Sequence, residues 1–168
     1  MGTSLRPVVK LGAATVLAGL VCSGCLKKEE FPPEPVITFK SLEQFGDSAS
    51  LSITFTDGDG DIGLDDGDTQ APFDAGSTFY HNLFLGYEEF QDGQWVEVEL
   101  LLPLNYRIPR ITPSGQNKAL SGEIAVALKP WPIFPVTGDP DTLRFTVKLV
   151  DRSLNESNEV TSSEVVVE

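Results

Sequence analysis

Aspartates alternate with glycines over five residues in the first half of the chain. Asp57, Asp59 and Asp61 are separated by Gly58 and Gly60, and three more aspartates follow at positions 65, 66 and 68. Carboxylates on such short side chains repel one another unless a cation lies among them. Glycine also permits turns that bring carbonyl oxygens inward. Because calcium is bound by flexible sets of oxygen ligands, the segment indicates a calcium site; the alternative is a solvated acidic turn that binds nothing.

The spacing of the first three aspartates resembles the start of an EF-hand calcium loop. Asp57, Asp59 and Asp61 fall on its first, third and fifth positions. That loop requires Gly at its sixth position and Glu at its twelfth, and this chain has Ile62 and Asp68 there. A strand, not a helix, is predicted before the loop. We therefore interpret the segment as a cation-binding loop of another kind.

The acidic loop directly follows a predicted strand with one buried face. Leu51, Ile53 and Phe55 alternate with polar residues up to the first aspartate, which is the period of a β-strand. A second strand with this alternation, Leu143 to Val150, is followed at once by Asp151. Acidic residues therefore follow two separate strands.

Seven stretches of the chain have the pattern of short strands, and none has helical periodicity with caps. They begin near Val36, Leu51, Phe79, Trp95, Leu120, Leu143 and Val160. This number of strands predicts an all-β fold, an immunoglobulin-like antiparallel β-sandwich over residues 36–168. The segment VDRSLNESNEV, Val150 to Val160, resembles the final hairpin of bacterial immunoglobulin-like and fibronectin-like surface domains.

In such a sandwich the second and sixth strands run in the same direction and end at the same apex. The acidic loop should therefore meet the loop that follows the strand ending at Val150. The predicted metal ligands are Asp57, Asp59, Asp61, Asp151 and Asn155. Ordinary turn chemistry, in which Asp151 and Asn155 cap the backbone, is the alternative for those two residues.

The length and charge of the chain restrict the classes of function. Its 168 residues are enough for one domain, and its formal net charge is −13. If Arg6 and Lys10 are lost with the N-terminal leader, ten cations remain against 25 acids, a net charge of −15. Nucleic-acid binding needs clustered Lys and Arg, so this balance argues against a nucleic-acid partner. It fits a surface that attracts cations.

Residues 1–24 have the features of a secretory leader. Arg6 and Lys10 precede an apolar run, Leu11 to Val21, that is too short to span a bilayer stably. The run ends at Cys22-Ser23-Gly24-Cys25, which resembles the lipobox of bacterial lipoproteins, although that pattern usually has Leu where Cys22 stands. The resemblance implies that Cys25 is diacylated and becomes the N-terminus. Cleavage before Cys22, a membrane anchor and a plain secretory signal are the alternatives.

Residues 25–35 are predicted to be a lipid-bearing tether. The segment Lys28-Glu29-Glu30 resembles the export signal of some surface lipoproteins of Gram-negative bacteria, and a charged solvated tether is the alternative. Prolines at positions 32, 33 and 35 favour an extended polyproline conformation. We expect anchoring in the outer membrane through the lipid, with the cell surface favoured over the periplasmic face.

The sequence bears on three classes of function. The first is a non-catalytic envelope protein whose sandwich serves as an interaction or accessory module, with calcium as a structural ion and a protein or glycan as partner. The alternative is a glycan-binding lipoprotein that assists sugar uptake, which requires Trp131 and Tyr106 to form an exposed platform with Trp95. A lone aromatic such as Trp131 is more often a plug at the end of a sandwich. The third, an enzyme, is not expected, because the only histidine, His81, lies on a predicted strand and no thiol remains beyond the leader cysteines.

Overall fold

A computed structural model describes Gly2 and residues 30–113, 118–131, 133 and 141–167. The predicted leader, residues 1–24, and the predicted lipidation residue Cys25 lie outside the described residues. Nine strands and one short 3₁₀-helix form the described fold: β1 Val36–Phe45, β2 Ser48–Asp57, the 3₁₀-helix Thr78–Tyr80, β3 Leu83–Gln91, β4 Gln94–Glu97, β5 Leu104–Tyr106, β6 Leu120–Leu128, β7 Thr142–Leu149, β8 Val160–Thr161 and β9 Val165–Val166.

The strands form two antiparallel sheets. One sheet has the order β1-β2-β6, and the other has the order β4-β3-β7-β8, with β5 also paired to β3 and β9 to β7. Alternate residues of β2 and β7 are buried, as their period of two predicts. The prediction of an all-β sandwich is therefore confirmed. The finer likeness to immunoglobulin domains stays a prediction.

The core lies between the inner faces of the two sheets. Phe145 and Tyr87 are its largest fully buried side chains, with ring centroids 5.9 Å apart. Each buried side chain of this size stabilises the fold by about 1.5–3 kcal/mol relative to exposure. Aliphatic residues of both sheets complete the core: Ile37, Leu51, Ile53, Ile124, Val126, Leu128, Leu83, Leu85, Leu143, Val147 and Leu149.

Two of the predicted strands have different bounds in the structure. The strand expected from Phe79 begins instead at Leu83, because Tyr80 N–H donates to the Ser77 carbonyl in a 3₁₀ turn. The strand expected from Trp95 to Leu102 ends at Glu97, and a separate strand, β5, pairs with β3 further along. The second difference depends on the pairing of residues far apart in the sequence, Leu83 with Tyr106, which a local sequence pattern does not contain.

The long connection from β2 to β3 is held in place by one arginine side chain. The Arg107 guanidinium donates to the carbonyl oxygens of Asp65, Asp68 and Tyr80 at 3.0, 2.9 and 2.7 Å. It also lies 5.0 Å from the centre of the Tyr80 ring. The guanidinium thereby satisfies carbonyl groups that have no strand partner, which fixes this loop against the sandwich.

Both acidic segments lie at the same end of the sandwich, called the apex below. Val36 at the start of β1 pairs with Thr56 near the end of β2, and Leu83 at the start of β3 pairs with Leu149 at the end of β7. Arg152 N–H, just after β7, donates to the Asp61 carbonyl, just after β2, so both strands end at the apex, as the sequence predicts. Within the described residues, no helix is both long enough and apolar enough to cross a membrane.

Candidate metal centre

Four carboxylates from the two loops converge at the apex. Asp57, Asp59 and Asp61 come from the end of β2 and its loop, and Asp151 follows β7 by two residues. One oxygen of each carboxylate lies within 4.8 Å of one oxygen of every other. Oxygens bound to one calcium ion at about 2.3–2.6 Å are at most about 5 Å apart, so the four groups are close enough for a single ion. This group is called the aspartate cluster.

Three oxygens of the cluster are buried and have no hydrogen-bond partner. They are the Oδ1 atoms of Asp57, Asp59 and Asp61. Asp57 has no exposed surface at all, and Asp151 is 1% exposed. A buried acceptor without a donor costs about 1–3 kcal/mol, and more when it is charged. The cluster therefore lacks a positively charged group or donor at its centre, and a metal ion would supply one.

Hydrogen bonds within the protein hold the second carboxylate oxygen of Asp57 and of Asp61. Asp61 N–H donates to Asp57 Oδ2 at 2.9 Å, and the Ser153 hydroxyl donates to Asp61 Oδ2 at 2.7 Å. Each of these aspartates thus has one oxygen bound within the protein and one without a partner. Ser153 was not predicted from the sequence, because its role depends on the second loop lying over the first.

Asn155 positions Asp151. Its backbone N–H donates to Asp151 Oδ1 at 2.7 Å and its side-chain Nδ2 donates to Asp151 Oδ2 at 2.8 Å. The structure therefore brings four of the five predicted ligands together and places Asn155 behind one of them. Arg152 N–H also donates to the Asp61 carbonyl at 3.2 Å, which ties the two loops to each other.

The electrostatics of the cluster favour protonation when no cation is present. Burial raises the pKa of Asp57 to about 6, and the charges of Asp59 and Asp61 add to that effect against the lowering by the Asp61 N–H. Burial likewise raises the pKa of Asp59, with the Asp61 charge adding to it. Burial also raises the pKa of Asp151, against the lowering by its two bonds from Asn155. A bound cation would oppose each of these increases.

The acidic loop is anchored to the core directly after the third aspartate. Ile62 is fully buried in the hydrophobic core, and its carbonyl accepts a hydrogen bond from Ile111 N–H at 2.9 Å. This explains why the position that is Gly in an EF-hand is an apolar residue here. Gly60, with a φ of +73°, makes the turn that returns the chain to the core.

The later aspartates of the acidic loop lie outside the cluster. Asp65 forms an ion pair with Arg110 at 2.9 Å, and Asp68 pairs with Arg152. The pKa of Asp68 is lowered, chiefly by its hydrogen bond from Arg152. Asp66 is exposed. Of the six neighbouring aspartates in the sequence, only the first three belong to the cluster. Asp65 and Asp68 are instead neutralised by Arg110 and Arg152.

The aromatic platform expected from Trp131 and Tyr106 is not formed. Trp131 is only 5% exposed, its Nε1 donates to Gln44 Oε1 at 2.9 Å, and its ring centre lies 6.4 Å from that of Phe145. Tyr106 is half-buried, and its hydroxyl donates to the Ala127 carbonyl at 2.8 Å. Trp131 therefore does not meet the requirement of the glycan-binding alternative, because the indole closes the end of the core opposite the apex.

No protein-family model matches the chain, and none of the curated proteins searched matches it. The function is therefore argued from the chemistry of the site and its surroundings.

A cleft of about 370 Å³ opens on the outer face of the larger sheet. Its described lining combines the rings of Phe79 and Phe84 with Glu97, Lys148 and Glu159, and contains no histidine, cysteine or aspartate. His81 is half-buried with its ring centre 4.9 Å from that of Tyr80, and burial lowers its pKa. Lys148 of this lining forms an ion pair with Glu156 at 3.3 Å.

Proposed function

We propose that this chain is a non-catalytic, lipid-anchored protein of the cell envelope, whose β-sandwich is an interaction or accessory module rigidified by calcium at the apex. The observation that carries the proposal is the set of three buried, unpartnered Oδ1 atoms in the aspartate cluster, facing the carboxylate of Asp151. Such an arrangement is costly without a cation and is stabilising with one.

The chemistry of the cluster favours calcium over other common metals. All four groups are carboxylates, and no histidine or cysteine belongs to the cluster, which disfavours zinc and copper. Four carboxylates together exceed the one or two with which magnesium is usually bound, since magnesium keeps several waters. Calcium accepts six to eight oxygens, so backbone carbonyls or water could complete the shell.

The ion is proposed to have a structural role. The ligands join the loop after β2, in one sheet, to the loop after β7, in the other. An ion among them would therefore bind the two sheets together at the apex. Reaction chemistry is not proposed there, because the four carboxylates converge on one another and the Ser153 hydroxyl beside them is engaged in a hydrogen bond to Asp61.

Two exposed leucines support a protein partner for the module. Leu101 and Leu102, between β4 and β5, are 98% and 79% exposed. Adjacent exposed apolar side chains of this size are more typical of a contact surface than of a solvated loop. No observation favours the glycan-binding alternative, since Trp131 is buried in the core.

Calcium binding tests the proposed site directly. Titration calorimetry of the full chain in detergent is expected to show binding of one calcium ion, and the Asp59→Ala/Asp61→Ala double variant is expected to lose it. Asp66→Ala is the matched control, since Asp66 lies in the same loop but is exposed and outside the cluster. Absence of heat from the natural sequence, with the protein folded, would leave the cluster an unliganded acidic turn.

Lipidation tests the proposed location. Mass spectrometry of the protein extracted from membranes of a Gram-negative host is expected to show an N-terminal peptide that begins at Cys25 and carries acyl chains. Cys25→Ala is expected to retain its leader and gain no lipid. An N-terminal peptide without acyl chains would contradict anchoring by lipid, and one that begins at Cys22 would move the lipidation residue. Cleavage of the protein by a protease added to intact cells would indicate display at the surface.

A further inference from the structure

The segment before β1 is docked onto the acidic loop. Pro35 is buried and Phe31 is half-buried, and the Pro32 carbonyl accepts a hydrogen bond from Gly58 N–H at 2.9 Å. The tether, residues 30–35 of the described chain, therefore does not leave the sandwich freely at Val36. It continues along the start of the acidic loop and covers one side of it.

The contact point lies between two members of the aspartate cluster. Gly58 separates Asp57 from Asp59, and a Cβ atom at Gly58 would lie 2.2 Å from the Phe31 carbonyl oxygen and 2.6 Å from that of Pro32. The tether thus approaches the backbone more closely than any side chain would allow. Because Gly58 has no positive φ, the close approach of the tether is the reason that glycine is needed there.

We propose that calcium binding at the aspartate cluster and docking of the tether on Gly58 are thermodynamically coupled. This inference rests on the proposed calcium site. Repulsion among Asp57, Asp59 and Asp61 favours a spread arrangement of the loop when no cation is present, and a cation draws these residues into the arrangement that places Gly58 against Pro32. Any ligand that favours the docked loop must also favour the docked tether, and the reverse holds by the same factor.

The coupling gives calcium a defined effect on the position of the domain at a membrane. Only residues 26–30 separate Cys25 from Phe31, and six residue-to-residue steps span at most about 20 Å. With the tether docked, the apex is the membrane-facing end. The opposite end, with the turns Gly46-Asp47 and Asp92-Gly93, then points outward. With the tether undocked, up to five more residues become free to extend, and this orientation is lost.

Gly58→Ala is the variant that tests the coupling. Gly58 has no positive φ, and the three atoms nearest to an added Cβ all belong to Phe31 and Pro32 of the tether, so the methyl group should undock residues 30–35. We expect calcium to bind this variant roughly tenfold more weakly than the natural sequence, within the range of typical coupling energies. Gly67→Ala is the matched control, because that glycine lies in the same loop with nothing within 4 Å of an added Cβ and without positive φ.

A second variant separates undocking from direct distortion of the loop. Phe31→Ala removes a half-buried side chain of the tether and should weaken its docking, while the sequence of the acidic loop stays unchanged. If both substitutions act through docking, each should weaken calcium binding and the double variant should be no weaker than Gly58→Ala alone. Amide exchange of Gly58, whose N–H donates to Pro32, reports docking in the natural sequence and is expected to slow when calcium is added.

The outcomes distinguish the two proposals. Calcium binding that is equally tight in the natural sequence, Gly58→Ala and Phe31→Ala would overturn the coupling and leave the calcium site intact. Weaker binding in Gly58→Ala alone would also overturn it, because the methyl group would then act on the loop directly. No calcium binding by the natural sequence would remove both the site and the coupling. Weaker binding in both variants, with slower Gly58 exchange in calcium, would support the coupling.

Discussion

Calcium is expected to raise the midpoint of thermal unfolding of the full chain by roughly 10 °C when its free concentration is about 100 times the dissociation constant. A ligand that binds only the folded state stabilises it by about 2.7 kcal/mol at that ratio. For a domain of this size each kcal/mol corresponds to about 3–5 °C.

Asp57→Asn should change the melting temperature in opposite directions in chelator and in calcium. In chelator, the substitution removes a fully buried charge that has an unpartnered oxygen and three like charges nearby, so the variant should melt higher than the natural sequence. In calcium, it removes a charged ligand, so most of the calcium-dependent increase should be lost. No purely structural role for Asp57 predicts this reversal.

Scanning calorimetry or circular dichroism in chelator and in calcium would measure both effects. Asp66→Asn, at an exposed position of the same loop, should melt with the natural sequence under both conditions. Identical curves for the natural sequence in chelator and calcium would show that the loop is a solvated turn. A lower melting point for Asp57→Asn in chelator would show that the carboxylate contributes to the ion-free fold, contrary to the argument from its missing donors.

The sandwich and the composition of the aspartate cluster were predictable because both depend on patterns within short stretches of the chain. Alternation in Leu51, Ile53 and Phe55 specifies a strand with one buried face, and the same is true of the strand after Leu143. Once both strands are assigned to a sandwich, their direction alone brings Asp57 and Asp151 to one end.

The contacts that complete the site were not predictable, because they join residues that are far apart in the sequence. Ser153 donates a hydrogen bond to Asp61, which is 92 positions away in the sequence. Arg152 pairs with Asp68, 84 positions away, and Asp68 therefore lies outside the cluster. The burial of Trp131 was not predictable for the same reason. A lone tryptophan among prolines is compatible with either an exposed platform or a buried plug, and only the packing against Phe145 and Gln44 decides between them.

The pH dependence of stability should change sign when calcium is added. Without calcium, the pKa of Asp57 is about 6 in the folded state and near its ordinary value of 3.8 when unfolded, so the folded state binds more protons between these values. The free energy of unfolding then falls as the pH rises from about 4 to 6 and is level above. Since a tenfold change in proton affinity corresponds to about 1.4 kcal/mol, Asp57 alone should contribute a loss of roughly 3 kcal/mol. The raised pKa values of Asp59 and Asp151 act in the same direction.

With calcium bound, the same carboxylates must be ionised, and protons compete with the ion for them. Stability should then be highest above pH 6 and should be lost as the pH falls towards 4, where the curves with and without calcium should converge. Urea unfolding at several pH values would measure both curves. Carboxylates outside the cluster whose pKa is lowered by a partner, such as Asp68 beside Arg152, add a loss of stability at acidic pH to both curves. Subtracting the curve for Asp57→Asn isolates the contribution of Asp57, and a difference curve with the same slope in calcium and chelator would exclude Asp57 as a ligand.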